Sequence, residues 1–258
     1  MSPESASGPL LMFDFDGVLV DGMPEYWWAA RATALRLDPA LELPEQAPAA
    51  FARLRPFIHK GWEMVLVASE LDPGRRDRPE GSLVDAPDYA EALLPALERC
   101  GWSADRLQNE LERVRDDALR SDAAAWLARH RFYPGVVERL ERLAAEGSHW
   151  GVLTTKGGAF AAEILAAGGL KPHFLYGHEQ GSKPEVLLRL RQQRRPLWFI
   201  EDRRPTLVSV RATPGLEAVR CFLATWGYLA PGDREGLAET GIHWLPVERF
   251  EAPLARWL

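Results

Sequence analysis

The sequence predicts an α/β protein: a parallel sheet flanked by helices, interrupted near its start by an all-helical insert. Three observations carry this. After residue 130, short apolar runs such as HWGVL, HFLYG, PLWFI and IHWLP alternate with helical patterns, the texture of βαβ units. Between residues 23 and 130 no strand pattern is found. Before residue 23 stands one apolar run, Pro9 to Phe13, that leads into acids and then Gly17, as a buried strand ending in a loop does.

The elements follow in order. Pro24 suits a first helical turn and opens a helix over EYWWAARATALRL, with two of Tyr26, Trp27 and Trp28 expected in the core. Asp21 is expected to cap that helix or, alternatively, to hold the hinge geometry. Breaks at Pro39, Pro44 and Pro48 precede helices in QAPAAFARLR, GWEMVLVASEL, DYAEALLPALERC and the stretch from Asp105 to His130; DPGRRDRPEGS (72–82) reads as a polar loop. Then FYPGVVERLERLAAEG, GGAFAAEILAAGGL, PEVLLRLRQQRR and PTLVSVRATPG read as helices between the strand runs. The expected domains are residues 1–22 with 131–258, and an insert at 23–130, of domain size at roughly 100 residues.

Composition excludes several classes. The 258 residues are 47% apolar and 26% charged, ordinary for a globular protein. A net charge of -6 argues against nucleic acid, whose phosphates select basic surfaces. No run reaches the roughly 20 apolar residues that span a bilayer. MSPESASGPLL lacks the basic start and apolar stretch of a secretory signal, so a cytoplasmic location is expected. Cys100 and Cys221 show no metal-type spacing, and neither do His149, His173, His178 and His243. Only four of the 31 basic residues are Lys (Lys60, Lys156, Lys171, Lys183), so each is a hint that a compact ammonium is needed.

Parallel sheets bind ligands at the carboxyl ends of their strands. The runs here end in Asp14-Phe15-Asp16, in Thr154-Thr155-Lys156, in the loop to Lys183, and in Glu201-Asp202. Buried carboxylates are costly unless a cation or hydrogen bonds meet them. Gathered carboxylates suit Mg²⁺, which keeps positions for water and a phosphate. One carboxylate can then attack phosphorus while a second serves as acid and base.

FDFDGVLVD resembles motif I, DxDGxxxD, of the haloacid dehalogenase (HAD) superfamily. VLTTK resembles its motif II, GSKPE motif III and FIEDRRPTL motif IV; YPGVVERLERLAAEG and ATWGYLAPGDREGLAETGIHWL resemble segments of phosphoglycolate-phosphatase-like members. The resemblance covers residues 9–21 and 131–250. It implies a three-layer α/β/α, Rossmann-like core with a helical cap, and a Mg²⁺-dependent phosphatase that forms an aspartyl phosphate. Asp14 would be the nucleophile and a metal ligand, and Asp16 the acid/base, with its carbonyl on the metal. Thr154 and the Thr155 N–H would hold the phosphoryl group. Lys183 would orient Asp14. Asp202 would bind the metal, and Glu201, where the family has Gly or Asp, would hold a metal-bound water.

Motif III has KPE where KPxP is usual, and motif IV lacks a second acid four residues on. Arg203 and Arg204 are expected to pair with surface acids or, alternatively, to lie near the phosphate. Lys156 either caps the next helix or reaches the substrate, with a surface position expected. Arg55, His59 and Lys60, beside the break at Pro56, are candidates for substrate binding. A lidded site implies a small phosphorylated metabolite as partner. Asp16 separates the chain from haloacid dehalogenases, which lack that acid. A phosphomutase, or a catalytically weak ligand-binding or scaffolding module suggested by the altered motif IV, are the alternatives.

Overall fold

A computed structural model describes residues 8–74 and 81–258. The loop expected at 72–82 therefore lies partly outside the described residues, as do residues 1–7 of the amino-terminal stretch. The chain divides into two compact units, one made of the segment up to Asp21 with Arg131–Leu258, the other of Gly22–His130.

The first unit is built on β1 (Leu10–Phe13), β4 (His149–Leu153), β5 (Phe174–Tyr176), β6 (Leu197–Glu201), β7 (Arg220–Ala224) and β8 (Ile242–Leu245), with a separate two-residue ribbon of β2 (Val20–Asp21) and β3 (Arg131–Phe132). The six-stranded sheet has the order β5-β4-β1-β6-β7-β8, and every pairing in it is parallel. Its helices are α6 (Val136–Ala145), α7 (Gly158–Ala167), α8 (Lys183–Leu190), α9 (Arg204–Ala212) and α10 (Val247–Glu251). This is the α/β, Rossmann-like architecture the sequence predicts. Strand β1 is buried along its length, because a central parallel strand is covered on both faces.

Alternate residues of the strands feed two cores. Leu10 and Met12 join Val186, Leu187, Leu207, Val210, Phe199 and Cys221. Phe13 meets Phe250 edge-on at 6.3 Å, and Trp198, Phe222 and Trp257 extend this aromatic layer. Arg139 on α6 is buried beside it. Its Nε donates to the Phe250 carbonyl at 2.9 Å and its guanidinium pairs with Glu146. Glu146 Oε2 in turn accepts the Leu254 N–H at 2.7 Å, which fastens the carboxyl-terminal segment. Burial alone would raise the Glu146 carboxyl, but Arg139 and the Leu254 N–H hold it below the usual range.

Register fixes what meets at the sheet's carboxyl edge. Phe13 lies opposite Val152 on β4 and Ile200 on β6, so Asp14 follows level with Leu153 and Glu201. From β1 the sheet grows one way through β4 and β5, then the other way through β6 to β8. The edge beside β1 is thus the switch point where open α/β sheets bind ligands.

The second unit holds α1 (Met23–Leu37), α2 (Ala49–Leu54), α3 (Gly61–Ser69), α4 (Tyr89–Cys100) and α5 (Ala104–Leu127), and contains no strand among its described residues. Helices α1, α3 and α5 pack on one another. Gly22, not Asp21, is the residue before α1, and it makes no side-chain cap. Tyr26 and Trp27 are buried, as expected of two of the three aromatics; Trp28 lies under the Arg129 guanidinium at 4.5 Å. Helix α5 breaks its helical geometry at Asp122. At the centre, Glu25 takes both Arg115 Nε and a terminal guanidinium nitrogen at 2.8 Å. Among the described residues no helix is long and apolar enough to cross a membrane.

Candidate active site

Each candidate in the first unit is delivered by the end of an element. Asp14 and Asp16 lie in the turn after β1, closed by Gly17 N–H to the Val20 carbonyl at 2.9 Å and Val20 N–H to the Phe15 carbonyl at 3.0 Å. Gly17 takes φ 89°, which a side-chain-bearing residue adopts only with strain. Thr154, Thr155 and Lys156 follow β4. Lys183 is the first residue of α8. Glu201 ends β6, and Asp202 is next.

Helix α8 begins in a local cap. Glu185 reaches back to the N–H and hydroxyl of Ser182, both at 2.8 Å, as in a capping box. These bonds hold the Glu185 carboxyl below its ordinary range. The box starts α8 at the residue that must deliver the ammonium.

The charged groups converge. Lys183 Nζ sits 2.9 Å from Asp14 Oδ1 and 2.6 Å from Glu201 Oε2. Asp14 Oδ1 also accepts the Phe15 N–H at 2.8 Å. Glu201 Oε1 accepts the Arg203 N–H at 3.1 Å. Asp202 Oδ2 accepts the Tyr228 N–H at 2.7 Å. One carboxylate oxygen from each of Asp14, Glu201 and Asp202 lies within 4.8 Å of the other two. All three acids are buried.

One ammonium does not balance three carboxylates. Burial, and then the charge of Glu201, push Asp14 up to about 7 against the pull of Lys183. Burial would lower Lys183, yet Asp14 and Glu201 reverse it, so the ammonium is held above its ordinary range. The surplus of hard oxygen donors and negative charge fits Mg²⁺.

A second cation stands nearby. Lys156 is only 5% exposed, against the surface position expected of it, and its Nζ lies 3.5 Å from Asp16 Oδ2. Asp16 Oδ1 is buried and accepts no hydrogen bond among the described residues, the mark of an oxygen whose partner comes from water or ligand. Thr154 Oγ1 accepts the Lys156 N–H at 3.0 Å. Thr155 is half-buried in the same turn.

The remaining candidates are placed otherwise. Arg55 is buried within the helical unit, its guanidinium 4.7 Å over the Tyr26 ring. His59 and Lys60 are exposed, with their backbone N–H groups held by Glu63 at 3.0 and 2.9 Å. Arg204 donates to the carbonyls of Gly232, Asp233 and Glu235, and its charge, with that of Arg203, acts on the Asp233 carboxyl. Asp21, expected as a cap, accepts the Tyr228 hydroxyl at 2.7 Å. Tyr228 and Gly227 were not singled out from sequence: the Tyr228 hydroxyl meets a residue 207 positions away and its N–H acts through the backbone, while Gly227 acts by close approach.

A family model described as haloacid dehalogenase-like hydrolase matches residues 9–204, and the chain belongs to that family of hydrolases. No curated protein matches the chain by sequence. Among solved structures, a haloacid dehalogenase-like family hydrolase from Streptococcus pneumoniae is similar, with TM-score 0.59, 17% identity and 96% of each chain covered. A predicted phosphatase from Clostridium acetobutylicum gives 0.60, 15% and 94% of each chain. A predicted phosphoglycolate phosphatase from Haemophilus somnus gives 0.59, 17% and 96% of each chain. At these identities the likeness establishes the fold.

Proposed function

We propose that the protein is a Mg²⁺-dependent phosphatase that hydrolyses a small phosphate monoester through an aspartyl phosphate on Asp14. The observation that carries this reading is the buried cluster of Asp14, Glu201 and Asp202 around one Lys183 ammonium, at the switch point of the sheet.

In this reading the three acids would hold the metal, which supplies charge neutralisation for the acids and the phosphate. Asp14 Oδ1 is held by Lys183 and the Phe15 N–H, while Oδ2 accepts no hydrogen bond among the described residues and is offered to phosphorus. As the Asp14 O–P bond forms, the ester P–O bond breaks, and Asp16 gives a proton to the leaving oxygen. Asp16 then takes a proton from water. That water attacks phosphorus, the Asp14 O–P bond breaks, and phosphate leaves. The Thr154 hydroxyl accepts from the Lys156 N–H, so its own proton is available to a phosphoryl oxygen. The paired ammonium of Lys156 keeps Asp16 placed. We assign leaving-group selection to the helical insert, with Arg55, His59 and Lys60 as its candidates.

Incubation with a panel of phosphate esters, with Mg²⁺ or with a chelator, tests the reading. Phosphate release that needs Mg²⁺ and fails in Asp14→Asn is expected. Equal release by wild type and Asp14→Asn would remove it. A phosphate moved to another hydroxyl, with none released, would indicate a mutase.

A further inference from the structure

We propose that Tyr228 is a positioning residue for Asp202, fixing that carboxylate for the cation through a tether that runs back to the motif I turn. The inference rests on the reading of Asp202 as a metal ligand. The loop after β7 reads Thr225-Trp226-Gly227-Tyr228, and it touches both halves of the site. The Tyr228 N–H donates to Asp202 Oδ2 at 2.7 Å. The Tyr228 hydroxyl donates to Asp21 Oδ1 at 2.7 Å. Trp226 Nε1 donates to the Val18 carbonyl at 2.9 Å. One short loop is thus pinned twice to the segment after β1 and once to the acid after β6.

Close packing makes the arrangement stiff. A Cβ on Gly17 would fall 1.9 Å from Asp202 Oδ2, and one on Gly227 would fall 2.2 Å from the Gly17 carbonyl and 2.5 Å from Asp202 Cβ. Two glycines therefore leave room for the Asp202 carboxylate between the turn and the loop. A ligand held this way loses little freedom on binding a cation, and groups that orient metal ligands typically govern about 10–100-fold in affinity or activity. The backbone N–H cannot be removed by a side-chain change, but its anchor can. The hydroxyl acts on Asp202 only indirectly, through the Tyr228 side chain and backbone, so a smaller effect is expected.

Calorimetric Mg²⁺ binding to the full chain without substrate tests this. Tyr228→Phe is expected to weaken binding about three- to tenfold. Asp21→Ala cuts the same tether from its other end. It should weaken binding too, and the loss in the double variant should be smaller than the sum of the two single losses, because they share one interaction. Wild-type affinity in both single variants, with only a lowered melting temperature, would make Tyr228 a merely structural residue and overturn the inference. So would additive losses in the double variant. Asp202→Asn separates the two levels: if it retains wild-type Mg²⁺ affinity, the reading of Asp202 as a ligand fails, and the positioning role with it.

Discussion

Each unit buries a cluster of charge, and the two clusters are built on opposite principles. In the helical unit Glu25 meets Arg115 through two bonds at 2.8 Å. Acid and base match there, donor to acceptor. At the carboxyl edge of the sheet, Asp14, Glu201 and Asp202 gather around Lys183, and negative charge is left over. A matched pair reads as architecture. A surplus held in place by the fold needs a partner from outside, and sites of that kind are where function is found. Burial, and then the charge of Glu201, push the Asp14 carboxyl up to about 7.

Breaking the two clusters should therefore give different losses. The largest effect is expected for Asp14→Asn: phosphatase activity falls at least about a thousandfold, about 4 kcal/mol in barrier, while folding persists. Steady-state rates on an aryl phosphate measure it. Glu25→Gln should do the reverse. Removing one member of a buried pair costs about 3–5 kcal/mol of stability, read by denaturant unfolding, with Mg²⁺ affinity kept. A Glu25→Gln variant as stable as wild type would erase the contrast between the clusters.

The surplus itself can be titrated. Mg²⁺ at a hundredfold over its dissociation constant should stabilise the protein by about 2.7 kcal/mol, and Asp202→Asn should abolish the gain. Unfolding with and without metal checks this. The smallest effect concerns a balanced pair in the first unit. Glu146→Gln leaves the buried Arg139 without its carboxylate and should cost about 1–3 kcal/mol near neutral pH. Because the folded state holds the Glu146 carboxyl low, that stability is present above the ordinary Glu range and is lost as pH falls through the lowered value. The gap between variant and wild type should close in acid. A gap that stays constant with pH would show that packing, not charge, is responsible.

The candidate site was legible wherever a strand ends in an acid or a hydroxyl. The runs through Phe13, Leu153 and Ile200 are apolar, and the acids or hydroxyls that close them stand out. The parallel order and the all-helical texture of 23–130 follow from the same runs. The β2–β3 ribbon was not legible, since two residues per strand have no period. The Glu25–Arg115 pair joins residues ninety apart, and nothing in local spacing announces it. Lys156 was placed at the surface because lysines are seldom buried, and its burial depends on the opposing Asp16. Asp21 fits a helix cap by position, and nothing in local spacing announces that its carboxylate accepts the Tyr228 hydroxyl, 207 residues on.

The central claim is that Asp14 carries the phosphoryl group. Asp16→Asn should accept phosphate from an aryl ester, whose leaving group needs no proton, and then fail to activate water. Acid quenching and peptide mass spectrometry of this variant should find a phosphoryl group on Asp14. A phosphoryl group on another side chain, or none while the wild-type enzyme turns over, would contradict the assignment.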